Sequence, residues 1–279
     1  MKLINILFYL SSFFPFVVNG QEDVIAQAIY KFTHIRDTSN PSKVYEENFL
    51  LQFTNAASLY KSYTKYYDDS VFESNMSKVK AGLSVSELGE PIKLKRSTIE
   101  QLLYQFNTDK FYFIHPWIGE TLVIENSIDK VIWKLEDSSK LIGSLLCYKA
   151  TGGLKGRIFD VWYCPDYPVK AGPWKLNGLP GLIVEATDRT KTVSFELLSV
   201  YRSNKHFIDL PDSHKKITQV KFNSLLEDLR KNPNGYLTAA MNGSTAPMAG
   251  ANSTFSLNNT TPSNTKSRNI VNNPLELKE

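Results

Sequence analysis

The strongest constraint on the fold is a rhythm of short apolar segments. Residues 24–35, 44–60, 110–114, 121–124, 130–135, 141–150, 157–164, 182–186 and 192–201 are rich in Val, Ile, Leu, Phe, Tyr and Thr. Gly, Pro, Asn and Asp gather between them. Short runs of β-branched and aromatic residues punctuated in this way predict strands joined by turns. The βαβ alternation that builds a parallel sheet is missing. The chain therefore predicts a mainly β fold with minor α, a curved antiparallel sheet or open barrel.

Two stretches depart from that rhythm. Phe222, Leu225, Leu226 and Leu229 fall at the spacing that lines one face of a helix, and Pro233 and Gly235 stop it. This C-terminal helix is expected to pack on the sheet. Residues 70–103 are polar and lack strict alternation, which predicts a loop with one or two short helices, or an insertion.

The N-terminus reads as a separate unit. Lys2 precedes an apolar run over residues 4–18, and Val18-Asn19-Gly20 offers a cleavage-like site before the polar Gln21-Glu22-Asp23. The run is too short for a membrane span and matches a cleavable secretory signal, the alternative being an uncleaved anchor. No Cys follows it, so a lipid anchor has no support, and no later stretch approaches the length of a spanning helix. The expectation is a periplasmic or secreted protein with no membrane span in the mature chain. It would comprise a signal peptide at 1–20, one β-rich domain at 22–240, a polar linker at 241–266 and a short C-terminal segment at 267–279. The linker is rich in Asn, Ser, Thr, Ala, Gly and Pro, and carries too little apolar area to offset ordering entropy. In the final segment Leu275 and Leu277 alternate with Glu276 and Lys278, a pattern for a returning edge strand or for docking on a partner.

The formal net charge of +4 is well mixed, without the clustered basic stripe of a nucleic-acid binder. The two cysteines, Cys147 and Cys164, lie in two predicted strands joined by the turn-rich Gly152-Gly153-Leu154-Lys155, at similar distances from that turn. In an exported protein they form a cross-strand disulfide or stay as two buried thiols. A one-residue slip in register would put them on opposite faces.

Catalytic signatures are sparse. The four histidines, His34, His115, His206 and His214, show no metal-ligand spacing, and no Ser lies in G-x-S-x-G. Gly152, Gly153 and Gly156 precede a strand rather than a helix, which suits a hairpin better than a phosphate loop. Asp160, Asp166, Glu185 and Asp188 are numerous enough for acid–base work but not spaced to demand it. No cofactor and no metal are expected.

Residues 168–183, PVKAGPWKLNGLPGLI, stand out. Gly172-Pro173 and Pro180-Gly181 are turn signals on either side of Trp174. Pro180 at the second position and Gly181 with φ > 0 at the third make a type II pattern. The loop should hold the indole rigidly, as a plug of the sheet beside Leu176 and Leu179 or as the wall of a pocket or partner surface.

The hexapeptide Gly178-Leu179-Pro180-Gly181-Leu182-Ile183 resembles the signature of the GLPGLI family of exported proteins of Bacteroidetes-type bacteria. Trp133-Lys134-Leu135, Ile142-Gly143 and Cys147-Tyr148-Lys149-Ala150 resemble further blocks of that family. So do Gly156-Arg157, Val161-Trp162-Tyr163, Gly172-Pro173-Trp174-Lys175 and the terminal Asn273-Pro274-Leu275-Glu276-Leu277. Cys164 departs from the pattern, and the polar tract from Met241 is longer than usual. The resemblance implies export to the cell envelope and a shared curved antiparallel sheet, and it supplies no reaction and no catalytic residues. The candidate pocket or partner surface is Trp133, Trp162, Pro173, Trp174, Leu179, Pro180 and Gly181.

Two functions follow as expectations. The first is a non-enzymatic binding or carrier protein whose sheet encloses an apolar small ligand, motivated by aromatics at sheet-like positions. The second is an accessory protein docking on an envelope transport or assembly partner. A hydrolase-type enzyme stands third.

Overall fold

The computed structural model describes residues 26–84, 97–202, 208–241 and 271–277. The signal at 1–20 and all but Met241 of the linker at 241–266 lie outside the described residues. Twelve strands and three helices follow in the order β1 (Ala26–His34), β2 (Tyr45–Phe53), β3 (Ala57–Ser62), α1 (Tyr63–Lys80), β4 (Gln101–Gln105), β5 (Lys110–Trp117) and β6 (Glu120–Ser127). Next come β7 (Trp133–Ile142), β8 (Leu145–Leu154), β9 (Arg157–Cys164), β10 (Leu182–Asp188), β11 (Val193–Arg202), β12 (Lys215–Lys216), α2 (Gln219–Lys231) and α3 (Pro233–Met241).

All the strands belong to one sheet, in the order β12-β6-β5-β4-β3-β2-β1-β11-β10-β9-β8-β7. Every pairing is antiparallel except that of β12 with β6. The sheet is mainly β as its sequence predicts, and it does not close. The sequence signals gave neither β12 nor its parallel pairing, because two exposed lysines carry no strand pattern.

Period-two alternation decides which face each residue serves. Phe32 on β1, Phe49 and Leu51 on β2, Tyr60 on β3, Leu102 and Tyr104 on β4 and Phe195 on β11 turn to one face and join the main core. We call this the inner face. Leu59, Leu103, Tyr112, Ile114 and Val123 turn the other way and are covered by Ile208 and Leu210. Burying one such large side chain contributes about 1.5–3 kcal/mol.

Helix α2 is capped by Thr218, whose side chain accepts from Lys221 N at 3.2 Å. It packs on the sheet through Phe222, which meets Leu122, Ile124, Phe113 and Trp117. The contact face is narrower than the spacing predicts: Leu225 is partly buried, whereas Leu226 is exposed. Pro233 does end α2, but it also opens α3, since a first-turn proline lacks only an N–H that would be unpaired there anyway.

Two expectations are corrected. The stretch at 70–103 holds most of an 18-residue helix that begins earlier, at Tyr63, where Ser62 accepts from Lys65 N at 3.1 Å. No residue of α1 is buried, so it has no apolar stripe for periodicity to detect, and Leu103 already belongs to β4. The β8–β9 turn also sits later than its glycines suggest. Gly152 and Gly153 lie within β8, and the turn is Lys155-Gly156, with φ of 50° and 73°. Positive φ at both central residues is the two-residue hairpin geometry matching strand twist. Gly152 is needed for space, since a Cβ there would lie 2.6 Å from the Trp133 ring.

Candidate functional site

A cavity of ≈ 430 Å³ opens on the inner face. Phe32, Phe49, Tyr60, Phe113, Trp174 and Phe195 supply its aromatic walls. Phe49 and Tyr60 stack at 4.8 Å, and Phe32 and Phe195 at 4.9 Å. Trp174 stacks on Phe195 at 6.4 Å. These residues come from β1, β2, β3, β5, β11 and the 165–181 loop, so the surface exists only once the sheet is assembled.

The loop between β9 and β10 is fixed by its own backbone. Val169 N donates to Tyr167 O, Gly178 N to Lys170 O, Leu176 N to Pro173 O and Ile183 N to Ala171 O, all within 2.7–3.1 Å. Trp133 Nε1 donates to Asn177 O at 2.8 Å, bracing the loop from β7. The type II expectation for Pro180-Gly181 is not met, because Gly181 lacks positive φ. Glycine is required there by close approach: a Cβ would lie 2.5 Å from Cys164 O. The left-handed backbone falls at Gly178 (φ 92°) and at Trp174 (φ 55°). For a bulky residue that conformation costs on the order of 1–3 kcal/mol and persists only where the surroundings enforce it. Trp174 is thus held in the cavity wall at a local cost, and the residue is 7% exposed.

Of the candidate surface, the cavity takes Trp174. Trp133 braces the loop, and Trp162 lies under Lys140 Nζ at 4.5 Å. Pro173 and Leu179 are buried beside the loop, and Pro180 is exposed. Cys147 and Cys164 are elsewhere, on β8 and β9, one step along from the facing pair Tyr148 and Tyr163. Both thiols are free and buried, and Cys147 Sγ donates to Leu145 O at 3.4 Å. Burial pushes the Cys147 thiol up to about 12, which suppresses thiolate reactivity.

The C-terminal segment forms the remaining wall, with Val271, Pro274, Leu275 and Glu276 lining the cavity. It is not an edge strand; it is an irregular strap docked on its own chain. Asn272 N and Asn273 N donate to Arg36 O at 3.1 and 3.0 Å, and Asn273 Nδ2 donates to Ile35 O at 2.7 Å. At the far end Leu277 N donates to Lys155 O at 3.0 Å. The anchor between them is Arg157, which donates to Leu275 O at 2.9 Å and to Asn273 Oδ1 and Pro274 O at 2.6 Å. Arg157 is itself buried against Asp188 at 2.7 Å. Burial raises the Asp188 carboxyl, but hydrogen bonds from Thr190, Val193 and Thr192 and the Arg157 charge outweigh it and hold it below its usual range.

The polar lining is small. Lys175 pairs with Glu276 at 2.7 Å, and the Arg36 guanidinium lies 3.4 Å over the Tyr45 ring. Glu100 sits 3.4 Å from His115. Two buried lining residues carry a polar atom with no partner among the described residues, His34 at Nε2 and Tyr60 at its hydroxyl. Burial lowers the His34 ring to about 4, assisted by Arg157 and Arg36 and opposed by the Asn273 backbone and Asp188. The imidazole is therefore neutral near pH 7.

Of the four carboxylates considered for acid–base work, Asp188 serves Arg157, Glu185 takes Lys140 Nζ at 2.5 Å and Asp160 accepts from Thr151 Oγ1 at 2.7 Å. Asp166 is exposed. Each has its own surroundings. Among the described residues, no group of three or more His, Cys, Asp or Glu is placed to hold a metal ion, and no helix is long and apolar enough to cross a membrane.

Sequence reasoning missed His34, Arg36, Phe49, Tyr60, Phe113 and Phe195 as site residues. Their signal was present as strand alternation, but alternation cannot distinguish a filled core from a lined cavity.

Comparison with known proteins agrees with this picture at the level of fold. A family model described as a protein of unknown function (Porph_ging), a family typical of Bacteroidetes, matches residues 154–185, from the end of β8 into β10. That match is compatible with the GLPGLI resemblance. No curated protein matches. The solved structures of PNGF-II in the P21 and C2 space groups resemble this chain with a TM-score of 0.52 each, at 13% and 14% identity, over 74% of its length. The chain spans about a third of those solved chains, 34% and 33%. At such low identity what is shared is the fold.

Proposed function

We propose that this protein is an exported envelope protein that binds or carries a small, mainly apolar ligand in the inner-face cavity, without catalysis. The observation that carries this reading is the aromatic cavity itself. Its ≈ 430 Å³ falls in the range of small-molecule sites, about 300–1,000 Å³, and its walls are apolar with few polar groups. A Trp in left-handed backbone facing a cavity supports it, since such strain gathers at ligand clamps. Location in the periplasm or outside the cell rests on the N-terminal signal pattern.

The alternative, docking on an envelope partner through the C-terminal segment, would first have to release the bonds that Arg157, Ile35 and Arg36 make with that segment.

Native mass spectrometry of the mature protein purified from its own periplasm, before and after denaturation, tests the proposal. A small mass released on unfolding is the expected result. A clean protein mass, with no small apolar molecule binding on titration, would overturn it.

A further inference from the structure

The register of the β8–β9 hairpin decides how its two cysteines stand to each other. Ala150 faces Val161, Lys149 faces Trp162 and Tyr148 faces Tyr163. The next step along both strands sets Cys147 opposite Cys164, and each residue still lies within its strand. Facing residues of an antiparallel pair project to the same side, so the slip that would part the two thiols has not occurred. Facing Cα atoms lie about 4.5 or 5.5 Å apart, according to the kind of pair, and a disulfide spans about 4.4–6.8 Å.

The neighbours agree with that placement. Cys147 also faces Lys140 on β7, and Trp162 also faces Glu185 on β10. Lys140 Nζ pairs with Glu185 and lies over the Trp162 ring, so these side chains share one face with the two thiols. Glu185, Lys140 and the Cys164 thiol all act electrostatically on Cys147. Both cysteines are fully buried, at 0% exposure.

Position gives the pair a task. Cys164 is the last residue of β9, where the loop at 165–181 begins. Its carbonyl accepts from Tyr167 N at 3.4 Å, its partner on β10 is Leu182, and Gly181 lies against its carbonyl. A bond from Cys164 to β8 therefore fastens the root of the loop that holds Trp174.

We propose that Cys147 and Cys164 are joined by a disulfide in the mature protein, as a cross-strand staple at the root of the Trp174 loop. This step rests on the reading that the protein is exported, since an oxidising compartment supplies the oxidant, a disulfide-bearing thiol oxidase. One cysteine thiolate attacks the oxidase disulfide, forming a mixed disulfide and expelling one oxidase thiolate. The second cysteine thiolate then attacks the sulfur of the first, and the other oxidase thiolate leaves. The chain loses two protons and two electrons, and the oxidase disulfide becomes a dithiol. Exchange takes place before the sheet closes, because burial afterwards withholds both thiols from a partner.

The test is thiol counting on the full mature chain purified from its own periplasm, unfolded in guanidinium with iodoacetamide, with and without prior reduction. The expected result is no alkylation until reductant is added, and then two. Two alkylations without reductant, in a chain that has lost residues 1–20, would overturn the disulfide. A second arm separates the bond from its compartment: the reduced full chain is refolded with oxidised and reduced glutathione. Thiols that stay free there would overturn the pairing wherever the protein resides. A bond that forms there, with free thiols in a cell-derived chain that keeps residues 1–20, would support the pairing and remove the export reading instead. The role is read by amide exchange. The chain refolded with reductant should exchange faster than the oxidised chain at Val169, Gly178 and Ile183, whose N–H groups are hydrogen-bonded in and beside the loop, while α2 keeps its rates. The double variant Cys147→Ala, Cys164→Ala should not respond to reductant. Equal loop exchange in the oxidised and reduced chains would overturn the staple.

Discussion

Helix α1 and the strap at 271–277 divide the tasks of structure in opposite ways. The helix has a serine cap, a regular hydrogen-bond ladder and lysines in its last turn, yet it buries no residue, and Phe72 stands 59% exposed. The strap has no regular structure. Its Asn273 is nevertheless buried, its Leu275 packs on the main core, and its carbonyls and side chains satisfy a buried arginine. Regularity and importance to the fold are therefore separate properties. A helix can form from local hydrogen bonds and remain a surface feature. A strap holds only where its polar groups and those beneath it complete one another out of water.

That contrast can be broken from either side. The largest effect should come from Arg157→Met, which leaves Asp188 buried without its cation and frees the carbonyls of Pro274 and Leu275. Removing one partner of a buried ion pair costs about 3–5 kcal/mol, measurable as a lower urea midpoint. A loss under about 1 kcal/mol would mean that the strap is not held as described.

Acidification probes the same region. The ring of His34 sits at about 4 in the folded protein against an ordinary value of 6.5, so the unfolded chain binds more protons between those values. Stability should therefore fall as pH drops from 6.5 to 4, by on the order of 2–3 kcal/mol from this group. The charged groups acting on it are Arg157, Arg36 and Asp188. His34→Phe should flatten that part of the stability profile, and an unchanged slope would contradict a neutral, buried ring.

Asn273→Ala is the next step down. It removes the acceptor of Arg157 and the donor to Ile35 O, and should cost about 2 kcal/mol. Amide exchange should rise at Asn272 and Asn273 and leave α2 unaffected. The smallest effect belongs to α1, where Phe72→Ser should change stability by less than about 0.5 kcal/mol, as exposed substitutions do. A larger loss would show that this helix is covered by something in solution.

Legibility in the sequence follows the same division. Strands β1, β5, β9, β10 and β11 were readable because alternation and turn residues are local signals. Helix α2 was readable through Phe222 and its neighbours, although tertiary contact used less of that face than periodicity offered, leaving Leu226 in water. Helix α1 was largely unreadable, since an exposed helix needs no apolar period. The β8–β9 turn was misplaced because Gly152 and Gly153 read as turn formers, whereas Gly152 serves the packing of Trp133. Of the site, Trp174 was visible between its Gly-Pro and Pro-Gly signals, and the terminal Asn273-Pro274-Leu275-Glu276-Leu277 was visible as a motif. That the two meet across one cavity was not.

By itself the sequence determined a mainly β chain, the places along it of most of its strands, a helix late in the chain and a turn-flanked loop around Trp174. These depend on propensities and spacings acting over a few residues. Only the tertiary structure decided that aromatics from five strands face a shared cavity and that Arg157 reaches residues more than a hundred positions away. It also decided that His34 and Tyr60 each bury a polar atom without a partner among the described residues. Those outcomes depend on register and on burial across the whole sheet, and one residue's shift in pairing would send every one of these side chains to the opposite face.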